Sequence, residues 1–329
     1  MSNNVLLSLN KVTTKFTTDE GDITALNGVT FDVIAGRTIG IVGESGCGKS
    51  ITAASIMNLL PQPYGNVTDG EIIFEGRDIT KLSQAERCAL RGKDISMIFQ
   101  DPMTALNPVV RVGKQVEEVY ELHSKTLTTA EARRQAVLDM FTKVGISEPE
   151  KRLDVYPHEL SGGMRQRVMI AMALACEPKV LIADEPTTAL DVTIQAQILE
   201  LMKRMQQQLG MAIVFITHDL GVVAEMCDDV AVMYAGNIVE QGDVFQIFGR
   251  PTHPYTQGLL ASMPTVTSKP KTQLTTIEGS VPQLKDMPVG CRFVNRCTKA
   301  MEHCNTTKPS STTVEAGHFV SCLAVKEVM

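Results

Sequence analysis

Short apolar runs alternate with longer amphipathic stretches through the first 240 residues of the chain. The runs are rich in β-branched residues and have the length of strands buried on both faces; they lie at 38–42, 95–99, 180–183, 213–217 and 230–234. Helix-like stretches follow several of them, at 50–60, 192–209 and 221–226. This alternation predicts an α/β fold with a mainly parallel core sheet.

Three other patterns divide the chain. Segments 8–16 and 29–34 alternate apolar and polar residues, which predicts an antiparallel β subdomain. The polar, helix-rich stretch from about 101 to 165 interrupts the strands and is interpreted as an inserted helical subdomain. Seven of the 15 prolines lie in 251–329, so we expect a Pro/Cys-rich C-terminal extension with sparse regular structure, its helices broken by residues such as Pro254. The predicted domains are 1–249 and 250–329.

Composition limits the classes of function. The chain is 43% hydrophobic and 21% charged, as in ordinary globular proteins, and its net charge of −6 disfavours a dedicated nucleic-acid binder. No apolar run reaches the roughly 18 residues that cross a bilayer, and the N-terminus lacks the features of a secretory signal. We therefore expect no transmembrane helix and no signal peptide, with any membrane role acting through a partner.

Residues 43–50 fit the pattern G-x-x-x-x-G-K-[ST] between a predicted strand and a predicted helix. The glycines allow backbone N–H groups to curl around phosphate oxygens. Lys49 would reach the β- and γ-phosphates of a nucleotide, and the Ser50 hydroxyl would bind Mg²⁺. The residues predicted to contact nucleotide here are Gly43, Glu44, Ser45, Gly46, Cys47, Gly48, Lys49, Ser50 and Ile51.

An acidic pair follows the apolar run at 180–183. Asp184 is predicted to hold Mg²⁺, and Glu185 to polarise the attacking water as a general base. Gln100 and His218 each follow another apolar run, which puts a polar side chain at the carboxyl edge of the sheet, where ligands bind in open α/β folds.

Ser161, Gly162 and Gly163 precede a helix-like stretch and form a candidate second anion-binding surface, with a plain helix cap as the alternative.

Together these motifs resemble the ATP-binding-cassette (ABC) ATPases, a P-loop NTPase family, over residues 5–245. The resemblance implies ATP and Mg²⁺, with Gln100 among the magnesium ligands and His218 sensing the γ-phosphate. It implies that Ser161 and Gly163 contact the ATP of a second subunit, and that Asp191 is the last residue of the family's D-loop, which begins at Ala189. Phe16, 33 residues before Lys49, matches an aromatic that stacks on adenine; a core phenylalanine is the alternative.

Segments 99–108, 156–160, 183–191 and 253–260 are similar to the oligopeptide/dipeptide permease group of this family. That resemblance implies an ATP-hydrolysing subunit of a peptide importer, peripheral at the cytoplasmic face of a bacterial inner membrane. Its implied partners are a second, related but non-identical ATPase subunit, two transmembrane permease subunits and a periplasmic or surface solute-binding protein; no nucleic acid is expected. The alternatives are an importer of nickel, glutathione or antimicrobial peptides, and a soluble, non-transport ABC ATPase.

Four of the eight cysteines lie in the extension, with the spacing C-x5-C-x6-C-x17-C. They are Cys291, Cys297, Cys304 and Cys322, and the spacing does not match the C-x2-C pairs of zinc ribbons. Disulfides are not expected in a reducing cytosol. The residues alone leave an iron–sulfur cluster, zinc and free thiols open; the resemblance favours a [4Fe–4S] cluster, with zinc second.

Overall fold

The structure, a computed structural model, describes residues 4–188, 190–263 and 276–325. The chain divides into two compact units. Unit 1 comprises Met1–Leu6, Val33–Arg37 and Lys81–Phe215; unit 2 comprises Leu7–Asp32, Thr38–Thr80 and Ile216–Met329. The domain boundary predicted near residue 250 lies inside unit 2 and stays a prediction.

Strands and helices alternate in chain order, as the hydrophobic pattern predicts. The strands are β1 (Val5–Thr18), β2 (Gly21–Ile34), β3 (Thr38–Val42), β4 (Gly65–Phe74), β5 (Arg77–Asp78), β6 (Ile95–Ile98), β7 (Val180–Asp184), β8 (Ala212–Thr217), β9 (Asp229–Tyr234), β10 (Asn237–Asp243), β11 (Thr312–Glu315) and β12 (His318–Val320). The α-helices are α1 (Lys49–Met57), α2 (Gln84–Leu90), α3 (Pro102–Ala105), α4 (Val112–His123), α5 (Ala130–Lys143), α6 (Pro149–Arg152), α7 (Gly162–Leu174), α8 (Val192–Leu209), α9 (Leu220–Met226), α10 (Val244–Gly249) and α11 (Pro254–Ala261).

Unit 2 carries two groups of paired strands. The first has the order β2-β1-β4-β5, with β1 antiparallel to β4, which confirms the expected antiparallel pattern near the N-terminus. In the second, β3 pairs in parallel with β9, and β9 pairs antiparallel with β10. Every residue of β3 is buried, which explains why this strand reads as a continuous apolar run.

Unit 1 combines parallel strands with most of the helices. β6 pairs in parallel with β7, and the strand order is β8-β7-β6. The stretch predicted to be an inserted helical region contains α3 to α6 and leads into α7. The long helix α8 follows the predicted range, because Asp191 caps its N-terminus and the left-handed Gly210 (φ 66°) ends it.

The C-terminal segment, the extension predicted at 250–329, has more regular structure in its described residues than the sequence suggested. β12 pairs antiparallel with β10, and β11 pairs with β12. Pro254, which we expected to interrupt helix, instead begins α11, because the first helical turn needs no N–H from that position. Within the described residues, no helix is both long and apolar enough to cross a membrane.

Candidate nucleotide site

The predicted phosphate loop joins β3 to α1 in unit 2. Two of its glycines are required by the backbone. A Cβ on Gly43 would lie 2.2 Å from the carbonyl oxygen of Met233, and Gly48, the N-cap of α1, has φ 107°. The loop therefore has a conformation that side chains at these two positions would prevent.

Lys49 is folded back into this loop. Its side chain is buried, and Nζ donates to the carbonyl oxygens of Gly43 at 2.8 Å and Glu44 at 3.1 Å. Ser45, Gly46 and Ser50 are exposed. These three residues are therefore accessible to solvent, whereas the Lys49 side chain is bonded to the backbone at the start of the loop.

Contacts that the sequence did not reveal hold Glu44. The Tyr255 hydroxyl accepts from the backbone N–H of Glu44 at 2.9 Å. The Arg296 guanidinium binds the Glu44 carboxylate with two parallel bonds, Nη1 to Oε2 at 2.6 Å and Nη2 to Oε1 at 3.0 Å. Both partners belong to the C-terminal segment of the same unit.

An aromatic cluster surrounds these contacts. The Tyr255 ring lies 4.8 Å from that of Tyr234 and 5.4 Å from that of Phe293, both edge-on. Burial raises the pKa of Tyr255, so its hydroxyl stays protonated. Burial also lowers the pKa of His253 to about 4, which keeps the ring neutral while its Nδ1 accepts from the N–H of Tyr255 and caps α11.

The acidic pair lies in unit 1. Asp184 is buried at the end of β7, and Glu185 follows with φ 47°, a left-handed conformation that is uncommon outside glycine. Gln100 Nε2 donates to Glu185 Oε2 at 3.1 Å, and the Thr188 hydroxyl donates to the same oxygen at 2.9 Å. The structure therefore brings Gln100 and Glu185 together and orients the carboxylate with two donors.

Ser161 begins α7 in the same unit. Its side chain accepts from the N–H of Met164 at 3.3 Å, so it acts as the helix cap that we considered as an alternative. One turn on, the buried Gln166 donates to the Pro186 carbonyl at 2.6 Å, which ties α7 to the turn that carries Glu185. Gly162 is exposed, and a Cβ on Gly163 would meet Ile194 at 2.8 Å.

The remaining predicted residues are divided between the units. Asp191 caps α8 in unit 1, where its Oδ1 accepts from the N–H of Ile194 at 2.9 Å; Ala189 lies outside the described residues. In unit 2, Phe16 is half-buried opposite Gly65 of β4, and the exposed His218 follows β8. Their predicted contacts with nucleotide stay predictions.

The predicted iron–sulfur site is not confirmed. Among the described residues, no group of three or more His, Cys, Asp or Glu side chains could hold a metal ion. Two of the four cysteines are in contact through the backbone: Cys291 N–H donates to the Cys304 carbonyl at 2.9 Å, and all four are free thiols. Burial raises the pKa of Cys291 and of Cys297, and the other thiols of the set raise both further, so the protonated form is favoured.

Comparison with known proteins gives two family matches. The family described as "ABC transporter" matches residues 26–188, and "Oligopeptide/dipeptide transporter, C-terminal region" matches residues 239–304. The dipeptide transport ATP-binding protein DppD of Bacillus subtilis is 52% identical over 96% of this chain and 94% of its own. The oligopeptide transport ATP-binding protein OppD of Salmonella typhimurium is 52% identical over 93% and 90%.

A solved structure extends the likeness to the fold. The dimeric ATP-binding cassette MJ0796, in a post-hydrolysis state bound to ADP and Pi, has a TM-score of 0.66 and 28% identity over 73% of this chain and 99% of its own. The 52% identity to these two transport proteins over more than nine-tenths of the chain, together with the two family matches, establishes the assignment. The chain belongs to the ABC transporter family, as an ATP-binding subunit of the oligopeptide/dipeptide group.

Proposed function

We propose that this chain hydrolyses ATP to ADP and phosphate and so drives uptake of dipeptides or oligopeptides through membrane subunits on other chains. The observation that carries the catalytic part is the Glu185 carboxylate, held at the end of a buried strand by Gln100 and Thr188. The transport part is supported by the relatives, which are named for dipeptide and oligopeptide transport.

Glu185 is the proposed general base. Two donors on Oε2 fix the carboxylate's direction, and a fixed carboxylate can accept a proton from water without first reorienting. The left-handed backbone at Glu185 is consistent with a functional role, since strained conformations concentrate at active sites. Gln100 acts on Glu185 through a hydrogen bond and would respond to any movement of the segment after β6.

The phosphate loop is the proposed binding element. Its backbone N–H groups and Lys49 would hold the β- and γ-phosphates, and the Phe16 ring would stack on adenine. Mg²⁺, when bound, would neutralise the phosphates; the hydroxyl of Ser50, the amide of Gln100 and the carboxylate of Asp184 are oxygen donors of the kind it prefers. Lys49 already donates to two loop carbonyls, so nucleotide binding must exchange at least part of this bonding.

The proposed assembly pairs this chain with a second cassette subunit. Ser161, Gly162 and Gly163 would then meet the γ-phosphate held by the partner, and His218 would sense the γ-phosphate held by its own chain. Two transmembrane permease subunits and a separate solute-binding protein complete the proposed importer, which places this chain at the cytoplasmic face of the membrane.

Replacement of the base tests the catalytic proposal. Glu185→Gln should lower ATP turnover by about 100-fold or more while ATP binding persists, because the amide keeps the shape but cannot take the proton. Glu200→Gln, an exposed glutamine substitution on α8, is the matched control and should leave turnover unchanged. Unchanged turnover in Glu185→Gln would rule out this role.

Purification of the tagged chain from its native membranes in mild detergent tests the transport proposal. We expect two multi-span proteins and a second cassette protein to accompany it. In vesicles that contain this complex and its solute-binding protein, dipeptides or oligopeptides should stimulate ATP hydrolysis. Stimulation by nickel or glutathione instead would redirect the substrate assignment, and recovery with ribosomes or DNA would reject transport.

We further propose that Cys291, Cys297, Cys304 and Cys322 bind an iron–sulfur cluster, with zinc as the second choice. The support is the donor set, four free thiols in one segment of the chain, of which Cys291 and Cys304 are joined by a backbone hydrogen bond. Iron, sulfide and zinc analysis of anaerobically purified protein distinguishes the two. Cys304→Ser should lose the metal and Cys88→Ser, at an exposed site, should retain it; metal-free wild-type protein would reject the proposal.

A further inference from the structure

The C-terminal segment contacts the phosphate loop at one acidic residue. Glu44 stands second in the loop, only five positions before Lys49, so it adds a negative charge to the loop proposed to bind the phosphates of a nucleotide. A carboxylate at an anion site weakens binding unless a cation neutralises it. In this chain Arg296 neutralises it, from 252 positions further along the sequence.

The geometry of this pair is that of a fixed clamp. The Arg296 side chain is 6% exposed, and the two parallel bonds to Glu44 match the fork of the guanidinium to both carboxylate oxygens. The other donors of Arg296 are also used: Nε donates to the carbonyl of Glu278 at 3.0 Å, and Nη2 to that of Ile277 at 3.2 Å. The guanidinium therefore has one position, and Glu44 is held with it.

Tyr255 fixes the backbone at the same place. Its buried hydroxyl accepts from the Glu44 N–H at 2.9 Å, while the Glu44 carbonyl accepts from Lys49 Nζ at 3.1 Å. Both peptide groups that flank the Glu44 side chain are thus restrained, one by the C-terminal segment and one by the loop's own lysine. The C-terminal segment therefore contacts both the charged side chain of Glu44 and the loop backbone at the same residue.

We propose that Arg296 and Tyr255 are positioning residues for ATP binding: Arg296 neutralises and directs Glu44 away from the phosphates, and Tyr255 holds the loop backbone in its binding conformation. Neither residue touches the nucleotide. The proposal rests on the proposed role of the loop in binding phosphate. It gives the C-terminal segment a direct part in nucleotide affinity.

Equilibrium binding of MgATP to the full-length chain, measured by calorimetry, tests this. Arg296→Ala should weaken binding about tenfold, the order expected for one uncompensated charge near an anion site. Arg296→Ala combined with Glu44→Gln should recover affinity to within about threefold of wild type, because the repelling charge is gone. Arg250→Ala, which removes an exposed arginine of the same segment, is the matched control and should bind normally.

Two milder variants cover the case in which Arg296→Ala fails to fold. Arg296→Lys keeps the charge and should lose about threefold or less. Tyr255→Phe keeps the ring but removes the acceptor of the Glu44 N–H, so it should weaken MgATP binding about three- to fivefold with at most a small fall in melting temperature. A purely structural role for Arg296 predicts lost stability and no recovery in the double variant.

The proposal is overturned if Arg296→Ala binds MgATP as wild type does, if the double variant stays as weak as the single one, or if Tyr255→Phe binds normally. Lys49→Ala separates this from the proposed function. If Lys49→Ala binds MgATP like wild type, the loop is not the nucleotide site and both proposals fail; if only Lys49→Ala loses binding, the clamp alone is rejected.

Discussion

Glu240→Ala should detach the C-terminal segment from β10. The Glu240 side chain is fully buried, and its carboxylate accepts three hydrogen bonds: from the Thr252 N–H at 2.7 Å, the His253 N–H at 3.0 Å and His318 Nε2 at 2.8 Å. One carboxylate therefore joins the start of α11 to β12. Alanine would leave all three donors buried without their acceptor.

The magnitude follows from these contacts. A buried donor that loses its acceptor costs about 1–3 kcal/mol; three donors lose theirs here, and part of that cost is offset because alanine no longer buries a carboxylate. We therefore expect the free energy of unfolding to fall by about 3–5 kcal/mol. For a chain of this size that corresponds to a fall in melting temperature of roughly 4–7 °C.

Urea unfolding followed by circular dichroism gives the free energy, and amide hydrogen exchange locates the loss. Exchange should accelerate first in α11 and β12. Glu121→Ala, at an exposed position on α4, is the control and should change stability by less than about 0.5 kcal/mol. A loss below about 1 kcal/mol in Glu240→Ala, or accelerated exchange elsewhere only, would refute the reasoning.

Three further outcomes can be checked. The pKa of His253 in the folded protein is about 4, below its ordinary value, so the unfolded state takes up the proton first as the pH falls. The free energy of unfolding should be highest above about pH 6.5 and should fall by up to about 3 kcal/mol toward pH 4. Urea unfolding measured across this pH range should show a smaller fall for His253→Asn. Gly43→Ala, whose Cβ would lie 2.2 Å from a backbone oxygen, should reduce MgATP binding at least tenfold in calorimetry, while Gly249→Ala, with open space, should not. Burial raises the pKa of the Cys47 thiol, so mass spectrometry after brief iodoacetamide treatment should find the exposed Cys88 alkylated and Cys47 unmodified.

The parts of the fold that the sequence predicts are those with local causes. β3 and α8 match their predicted bounds because an entirely buried strand reads as an apolar run and a capped helix carries its end signals in its own residues. The prediction for Pro254 was wrong because proline interrupts the interior of a helix but is favoured in its first turn. Its position directly after the N-cap His253 places it in the first turn of α11.

The candidate site divides in the same way. Gln100 and Glu185 were each predicted from the polar residue after an apolar run, and parallel pairing of β6 with β7 brings those strand ends together. Parallel register therefore makes strand-end residues predictable as a group. The four cysteines have no such frame: their spacing fits several ligand sets, and the thiols do not converge on a metal position in the described chain.

The ion pair between Arg296 and Glu44 is a contact that local sequence patterns do not predict. Glu44 stands at a position of the phosphate-loop pattern that any residue can occupy. Arg296 lies beside Cys297 and belongs to no motif of its own. Neither residue predicts the contact with the other, because an ion pair between residues 252 positions apart produces no pattern in a single sequence. The pattern G-x-x-x-x-G-K-[ST] fixes which backbone shape is possible, but the charge near that backbone is set by tertiary structure. In the proposed clamp Arg296 supplies the neutralising charge from outside the loop, so a chain truncated before Arg296 should bind ATP weakly even though every residue of the motif is present.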